Sequence, residues 1–108
     1  MAIDFNSLFN QLKTEIITLA KDKFKDLASE AASDGTSLLH TIQDDLNIYT
    51  QELADGKITP EQFRILLLGN EDLIKMSALT QAGLAEAKAD AFRTEVFNTI
   101  VGTVTSLV

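Results

Sequence analysis

The chain has 108 residues, a length at which one domain with a single core is the usual arrangement, so we expect one helical domain over residues 1–108. Hydrophobic residues make up 45% of the chain and charged residues 23%, which argues against wholesale disorder. The net charge of -7, without a basic cluster, disfavours nucleic acid as a partner, and the absence of Cys excludes disulfides, thiol catalysis and Cys-ligated metal.

The first predicted helix covers residues 4–32. Its apolar residues recur at spacings of three and four, which is one face of a long helix. They are Phe5, Phe9, Leu12, Ile16, Ala20, Phe24, Leu27 and Ala31. The "SDG" at residues 33–35 then predicts a glycine stop.

Two further helices are predicted at 37–54 and 60–68. The longer one has the same three-four spacing through Leu39, Ile42, Leu46, Tyr49 and Leu53. The shorter one begins with Thr59 as cap, Pro60 in the first turn and Gln62 as the capping-box partner. Its three consecutive leucines at residues 66–68 indicate a helix that is covered on more than one side.

The last predicted helix spans residues 71–107, with Asn70 as its cap and a possible break near Gly83. A single helix of that span would be about 55 Å long, which is unusual in a domain of this size. Because short connections place neighbouring helices antiparallel, the fold class is an all-α antiparallel bundle of four helices, or five if Gly83 breaks the last one.

The C-terminal segment is the strongest candidate for a functional surface. On a helical wheel its apolar residues fall within an arc of about 140°, opposite small uncharged residues. The predicted interface residues are Val96, Phe97, Ile100, Val101, Val104, Leu107 and Val108. Three interpretations compete for this face: the central helix of the bundle, an oligomer interface, or association with a membrane surface.

Residues 51–62 resemble the second half of an EF-hand calcium loop. With Gly56 at loop position 6, the ligand positions hold Gln51, Leu53, Asp55 and, in place of the bidentate Glu, Gln62. Only one of these four ligand positions, that of Asp55, holds an acidic residue, so a metal-binding protein with a degenerate loop is the less favoured hypothesis. We expect the stretch to form a sharp corner between two helices instead.

No constellation of residues predicts an enzyme. His40 is the only histidine, which excludes multi-His metal sites, and it is expected to be a partly exposed helix residue. The adjacent acids Asp44–Asp45 and Glu71–Asp72 suit solvated helix surfaces. An enzyme would need carboxylates that are distant in sequence to meet, such as Glu15 with Asp45 or Glu86 with Glu52. We therefore expect no catalytic residues, no metal site and no cofactor.

These patterns predict a small non-catalytic interaction or structural module that self-associates through its C-terminal amphipathic helix. Its partner would be a second copy or another protein, with no nucleic acid. The alternative is a peripheral protein that binds lipid or a hydrophobic ligand. Because the N-terminus lacks a secretion signal and the longest uncharged run, residues 96–108, is too short to cross a bilayer, we expect the protein in the cytoplasm.

Overall fold

The computed structural model describes residues 3–69 and 74–107, and these residues form six α-helices. The helices are α1 (Phe5–Lys23), α2 (Ala28–Thr41), α3 (Gln43–Ala54), α4 (Pro60–Leu68), α5 (Ser77–Gln81) and α6 (Glu86–Ser106). Within the described ranges there is no strand, so the all-α prediction is confirmed. The arrangement differs from a bundle of four or five helices because the predicted long helices are interrupted.

The prediction of one helix over residues 4–32 is wrong. α1 begins at its cap Asp4, whose carboxylate accepts hydrogen bonds from the backbone N–H and hydroxyl of Ser7, and these bonds lower the pKa of Asp4. α1 ends at Lys23, because Phe24 is extended with φ -130° and ψ 106°. The chain then turns through residues 24–27, which we call the hinge segment, before α2 begins.

The break falls in a stretch without Gly or Pro. Like charges four residues apart, such as Lys21 and Lys25, are offset by opposite charges three residues apart, such as Asp22 and Lys25, so local charge favours neither a turn nor a helix. Tertiary packing favours the turn, because α2 packs on α1 and the ring of Phe24 meets that of Phe92 at 5.2 Å.

α2 folds back on α1 as an antiparallel hairpin. The ring of Phe9 near the start of α1 meets the ring of His40 near the end of α2, at a centroid distance of 5.3 Å. Gly35 lies inside α2 against the Cγ2 methyl of Ile16, where an added Cβ would clash. The predicted glycine stop at residues 33–35 is therefore wrong, because this glycine serves close helix approach.

The predicted helix over residues 37–54 is also different in the structure. α2 begins well before residue 37, and a kink at Ile42 separates it from α3. Ile42 has φ -95° and ψ 4°, which lies between helical and extended backbone. Helical bonds continue on both sides, since Ile42 N–H donates to Leu38 at 3.1 Å and Ile42 C=O accepts from Leu46 at 2.8 Å. The two helices thus form one bent rod.

The predicted corner between α3 and α4 is confirmed. Gly56 has φ +76°, and its N–H donates to the carbonyl of Leu53 at 3.1 Å while Lys57 N–H donates to that of Glu52 at 2.9 Å. These two bonds are the Schellman motif that ends a helix. Four residues later α4 begins at the capping box of Thr59 and Gln62, as the sequence predicts.

The segment predicted as a helix over 71–107 contains two helices. Residues 74–76 are not helical, α5 is five residues long, and Gly83 then turns the chain with φ +101°. The predicted break near Gly83 is confirmed, and its bonds repeat the Schellman pattern: Gly83 N–H donates to Thr80 and Leu84 N–H to Leu79. The predicted cap Asn70 and residues 71–73 lie outside the described residues.

The buried apolar side chains form one cluster. α1 packs on α2 and α6, α4 packs on α3 and α6, and α5 packs on α2 and α6. α6 thus runs between the α1–α2 hairpin and α4. None of the described helices is long and apolar enough to span a membrane.

Candidate functional site

The predicted C-terminal interface lies mostly in the core. Five of its seven residues are buried within the chain itself: Val96, Phe97, Ile100, Val101 and Val104. Leu107 is 51% exposed, and Val108 is outside the described residues. The wide apolar arc has a physical reason, since α6 contacts α1 and α4 as well as α5. Those five side chains do not reach the surface of the folded chain and so offer no area to a partner.

Polar contacts fix the other face of α6 against α1. Thr103 Oγ1 donates to the carboxylate of Glu15, with oxygen distances of 2.7 and 2.9 Å. Lys23 Nζ lies 3.1 Å from Glu95 Oε1. The small hydroxyl residues that suggested an interface thus partly serve contacts within the chain.

Asp34 is a buried carboxylate that the sequence did not single out. It is 7% exposed, and its Oδ1 and Oδ2 accept hydrogen bonds from the backbone N–H groups of Ala78 at 3.0 Å and Leu79 at 2.8 Å. Both donors belong to the first turn of α5, whose own N-cap Met76 supplies no side-chain bond. Asp34 therefore caps α5 from α2, across a sequence separation that no local motif reveals.

The residues of the degenerate calcium loop are used in the architecture. The amide of Gln51 donates to the carbonyl of Ile3 at 2.9 Å and accepts from its N–H at 3.2 Å. Gln62 is engaged in the capping box and Leu53 is buried. Among the described residues there is no group of three or more His, Asp or Glu side chains that could hold a metal ion.

The remaining titratable candidates are dispersed. His40 is exposed in the last turn of α2, and Asp44 and Asp45 are exposed in the first turn of α3. Glu15 lies against Thr103 of α6. Glu71 and Asp72 fall outside the described residues. The described candidates thus lie at helix ends or in a contact between helices.

A small cavity lies where the end of α1 meets α6. Its floor is formed by Phe24 and Phe92, whose rings meet edge-on at 5.2 Å, and Lys23, Lys88 and Glu95 line its sides. Its volume of about 190 Å³ is below the 300–1,000 Å³ typical of ligand pockets. Two further clefts, of about 320 and 340 Å³, reach the lower end of that range, and most of the residues that line them are charged or carry a hydroxyl group.

An exposed apolar surface occurs on α3 and α4. Ile48 is 54% exposed, Ile65 64% and Leu66 39%, and we call these three side chains the α3–α4 patch. Ile48 stands two residues from the buried Leu46, so the helical twist turns it away from the core.

The patch residues of the two helices lie at one level. Ile48 is six residues before the end of α3, and Leu66 is six residues after the start of α4. At 1.5 Å per residue both are about 9 Å from the corner that joins the two helices. α3 and α4 pack on each other, so the three exposed side chains lie at the same level of two neighbouring helices. α4 packs on both α3 and α6, in agreement with the prediction that it is covered on more than one side, and Ile65 and Leu66 are the residues that these contacts leave exposed.

Comparisons of the chain with family models, with curated proteins and with solved structures find no match. The functional interpretation therefore depends on the geometry of the chain itself.

Proposed function

We propose that this chain is a small non-catalytic helical interaction module that self-associates weakly through the α3–α4 patch. The observation that carries the proposal is the exposure of Ile65 and Leu66, adjacent apolar residues on a helix whose other face is buried. Scattered single apolar residues are normal on protein surfaces, whereas two adjacent exposed apolar residues with a third at the same level of the neighbouring helix favour an interaction site.

The engaged polar groups support a non-catalytic role. Asp34 holds the start of α5, Glu15 accepts from Thr103, and Glu95 pairs with Lys23. Each of these carboxylates thus has a structural contact between helices. α6 contributes to the module from the inside, as the helix on which α1 and α4 pack.

A second copy of the chain fits the patch because the patch is self-complementary. A two-fold axis parallel to the hairpin would place Ile48 of one copy on Leu66 of the other, twice, since both lie at the same level.

The small size of the patch sets the strength of the contact. Stable dimers bury about 800 Å² on each partner, and three partly exposed side chains supply a fraction of that area. The proposed dimer is consequently in rapid equilibrium with the monomer, and the fraction of chains in the dimer increases with protein concentration.

Replacing Ile65 by Glu tests this proposal. The new carboxylate would be desolvated in an apolar contact without a partner, so we expect Ile65→Glu to remain monomeric at concentrations where the wild type shows concentration-dependent sedimentation. The matched control is Ala87→Glu, which adds the same charge at an exposed site in the first turn of α6.

Circular dichroism of both variants separates loss of association from loss of folding. Sedimentation velocity that shows a wild-type monomer at every concentration, or equal association of wild type and Ile65→Glu, would contradict the proposal.

A further inference from the structure

The hinge segment interrupts an apolar pattern that continues through it. Phe24 and Leu27 keep the three-four spacing that connects Ala20 to Ala31, and residues 24–27 contain neither Gly nor Pro. The stretch is therefore compatible with one continuous helix from α1 into α2. The structure has the hairpin, and the apolar spacing alone would suit either conformation.

The start of α2 is weakly defined in the hairpin. Its N-cap is Leu27, with φ -117° and ψ 22°, and no side chain caps its first-turn N–H groups. A capped start is worth about 1 kcal/mol relative to an uncapped one. A continuous helix would instead give these N–H groups the carbonyls of the preceding turn.

α1 makes packing contacts in the hairpin that a single chain would lose if α1 and α2 became one continuous helix. α1 packs on α2 and α6, and its buried residues include Leu12, Ile16 and Ala20. If α1 swings away from α2, another α1 must take its place. A second copy of the same chain supplies one that fits, because each copy can donate α1 to the other.

The register of the hairpin sets where two continuous helices would cross. In the hairpin Ile16 faces Gly35 and Phe9 faces His40, so facing residues are equidistant from a point close to Lys25 and Asp26. Two continuous helices that keep this register cross antiparallel at the hinge segment.

We propose that the hinge segment permits exchange of α1 between two copies of this chain, giving a dimer in which α1 and α2 are one continuous helix. Contacts of α1 up to Lys23 are then made between chains, while new contacts form at the crossing of the two helices. The proposal does not rest on the α3–α4 patch, which remains exposed in the exchanged dimer.

Proline at Ser29 distinguishes the two conformations. In the hairpin Ser29 is exposed in the first turn of α2, where a helix tolerates proline because the N–H has no intrahelical partner. In the continuous helix Ser29 is an interior position, so proline would remove a helical bond and clash with the carbonyl of Lys25. The matched control is Ser29→Ala, which suits both conformations.

The experiment is refolding of the full chain from denaturant at high concentration, followed by dilution and size-exclusion chromatography with light scattering. Exchange requires α1 to detach, so the exchanged dimer persists after dilution, unlike a dimer formed by surface contact. We expect a persistent dimer for wild type and Ser29→Ala, and a decrease in its dimerisation constant by more than about a hundredfold for Ser29→Pro. Circular dichroism and thermal unfolding would verify that Ser29→Pro is folded.

Ile65→Glu separates this proposal from the patch. A persistent dimer that survives Ile65→Glu and is lost in Ser29→Pro supports exchange. Three outcomes would overturn exchange. The first is a persistent dimer that Ile65→Glu removes, because such a dimer forms by surface contact. The others are a folded Ser29→Pro variant that dimerises like the wild type, and the absence of a persistent dimer in both wild type and Ser29→Ala.

Discussion

Asp34 shows how a single carboxylate can organise distant parts of the chain. Its two oxygens each accept one backbone N–H at the start of α5, so both are needed as acceptors. An amide of the same shape has one acceptor and one donor. The identity of the residue, beyond its shape, therefore matters here.

We expect Asp34→Asn to destabilise the fold by about 1–3 kcal/mol, because the new NH₂ group must face a backbone N–H or leave it without an acceptor. Urea unfolding measures the change in the free energy of unfolding. Asp44→Asn, at an exposed site on α3, is the control for loss of one negative charge. Equal stability of the two variants would show that the bonds to Ala78 and Leu79 contribute nothing.

Gly35 is the residue through which α2 approaches α1. We expect Gly35→Ala to destabilise the protein, because overpacking costs about 1–3 kcal/mol whereas the helix propensity gained from Ala is worth about 1 kcal/mol. The second variant is Ile16→Ala, which removes the methyl that the new Cβ would meet.

A double-mutant cycle by urea unfolding tests this contact. The double variant should be more stable than the sum of the two single changes predicts, since the clash is absent when Ile16 is truncated. Strict additivity would mean that Gly35 and Ile16 do not meet in solution.

The sequence predicted the role of a residue correctly where that residue acts on its close neighbours in the chain. Thr59, Gln62 and Gly56 act within a few residues of the helix ends they define, and the structure has them in those roles. Asp34 and Gly35 were misread because their partners are on other helices. A Ser-Asp-Gly stretch has the composition of a helix stop, and tertiary contacts override that preference.

At the scale of elements, two glycines illustrate opposite requirements. Gly83 ends α5 with φ +101°, a conformation that L side chains rarely adopt. Gly102 lies within α6 on its exposed side, where an added Cβ would meet no other atom. We expect Gly83→Ala to destabilise by about 1–2 kcal/mol and Gly102→Ala to stabilise by about 0.5–1 kcal/mol. Thermal unfolding should shift in opposite directions, and shifts of the same sign would contradict the assigned helix boundaries.

The existence of helices was predictable, but two of their boundaries were not. The breaks at residues 24–27 and at Ile42 carry no Gly or Pro, and the apolar spacing runs through both. A spacing pattern reports which residues face the core, and a hairpin and a continuous helix share that pattern. The same ambiguity is the basis of the proposed exchange of α1.

At the scale of the whole molecule, packing decides which apolar face is available to a partner. The C-terminal stripe looked like the free face because it is the widest in the sequence, yet it is wide since several helices pack on it. The exposed apolar residues Ile48, Ile65 and Leu66 are instead on α3 and α4, although α4 packs on two helices. The spacing of apolar residues shows which face of a helix is apolar, but it does not show how many other helices pack on that face.

The most direct test of the central claim is an amide ¹H–¹⁵N NMR titration of the wild-type chain against its own concentration. The α3–α4 patch predicts chemical-shift changes centred on Ile48, Ile65 and Leu66, with residues 96–104 of α6 unchanged. Changes centred on α6, or spectra that are identical at all concentrations, would contradict the claim that this module self-associates through the patch.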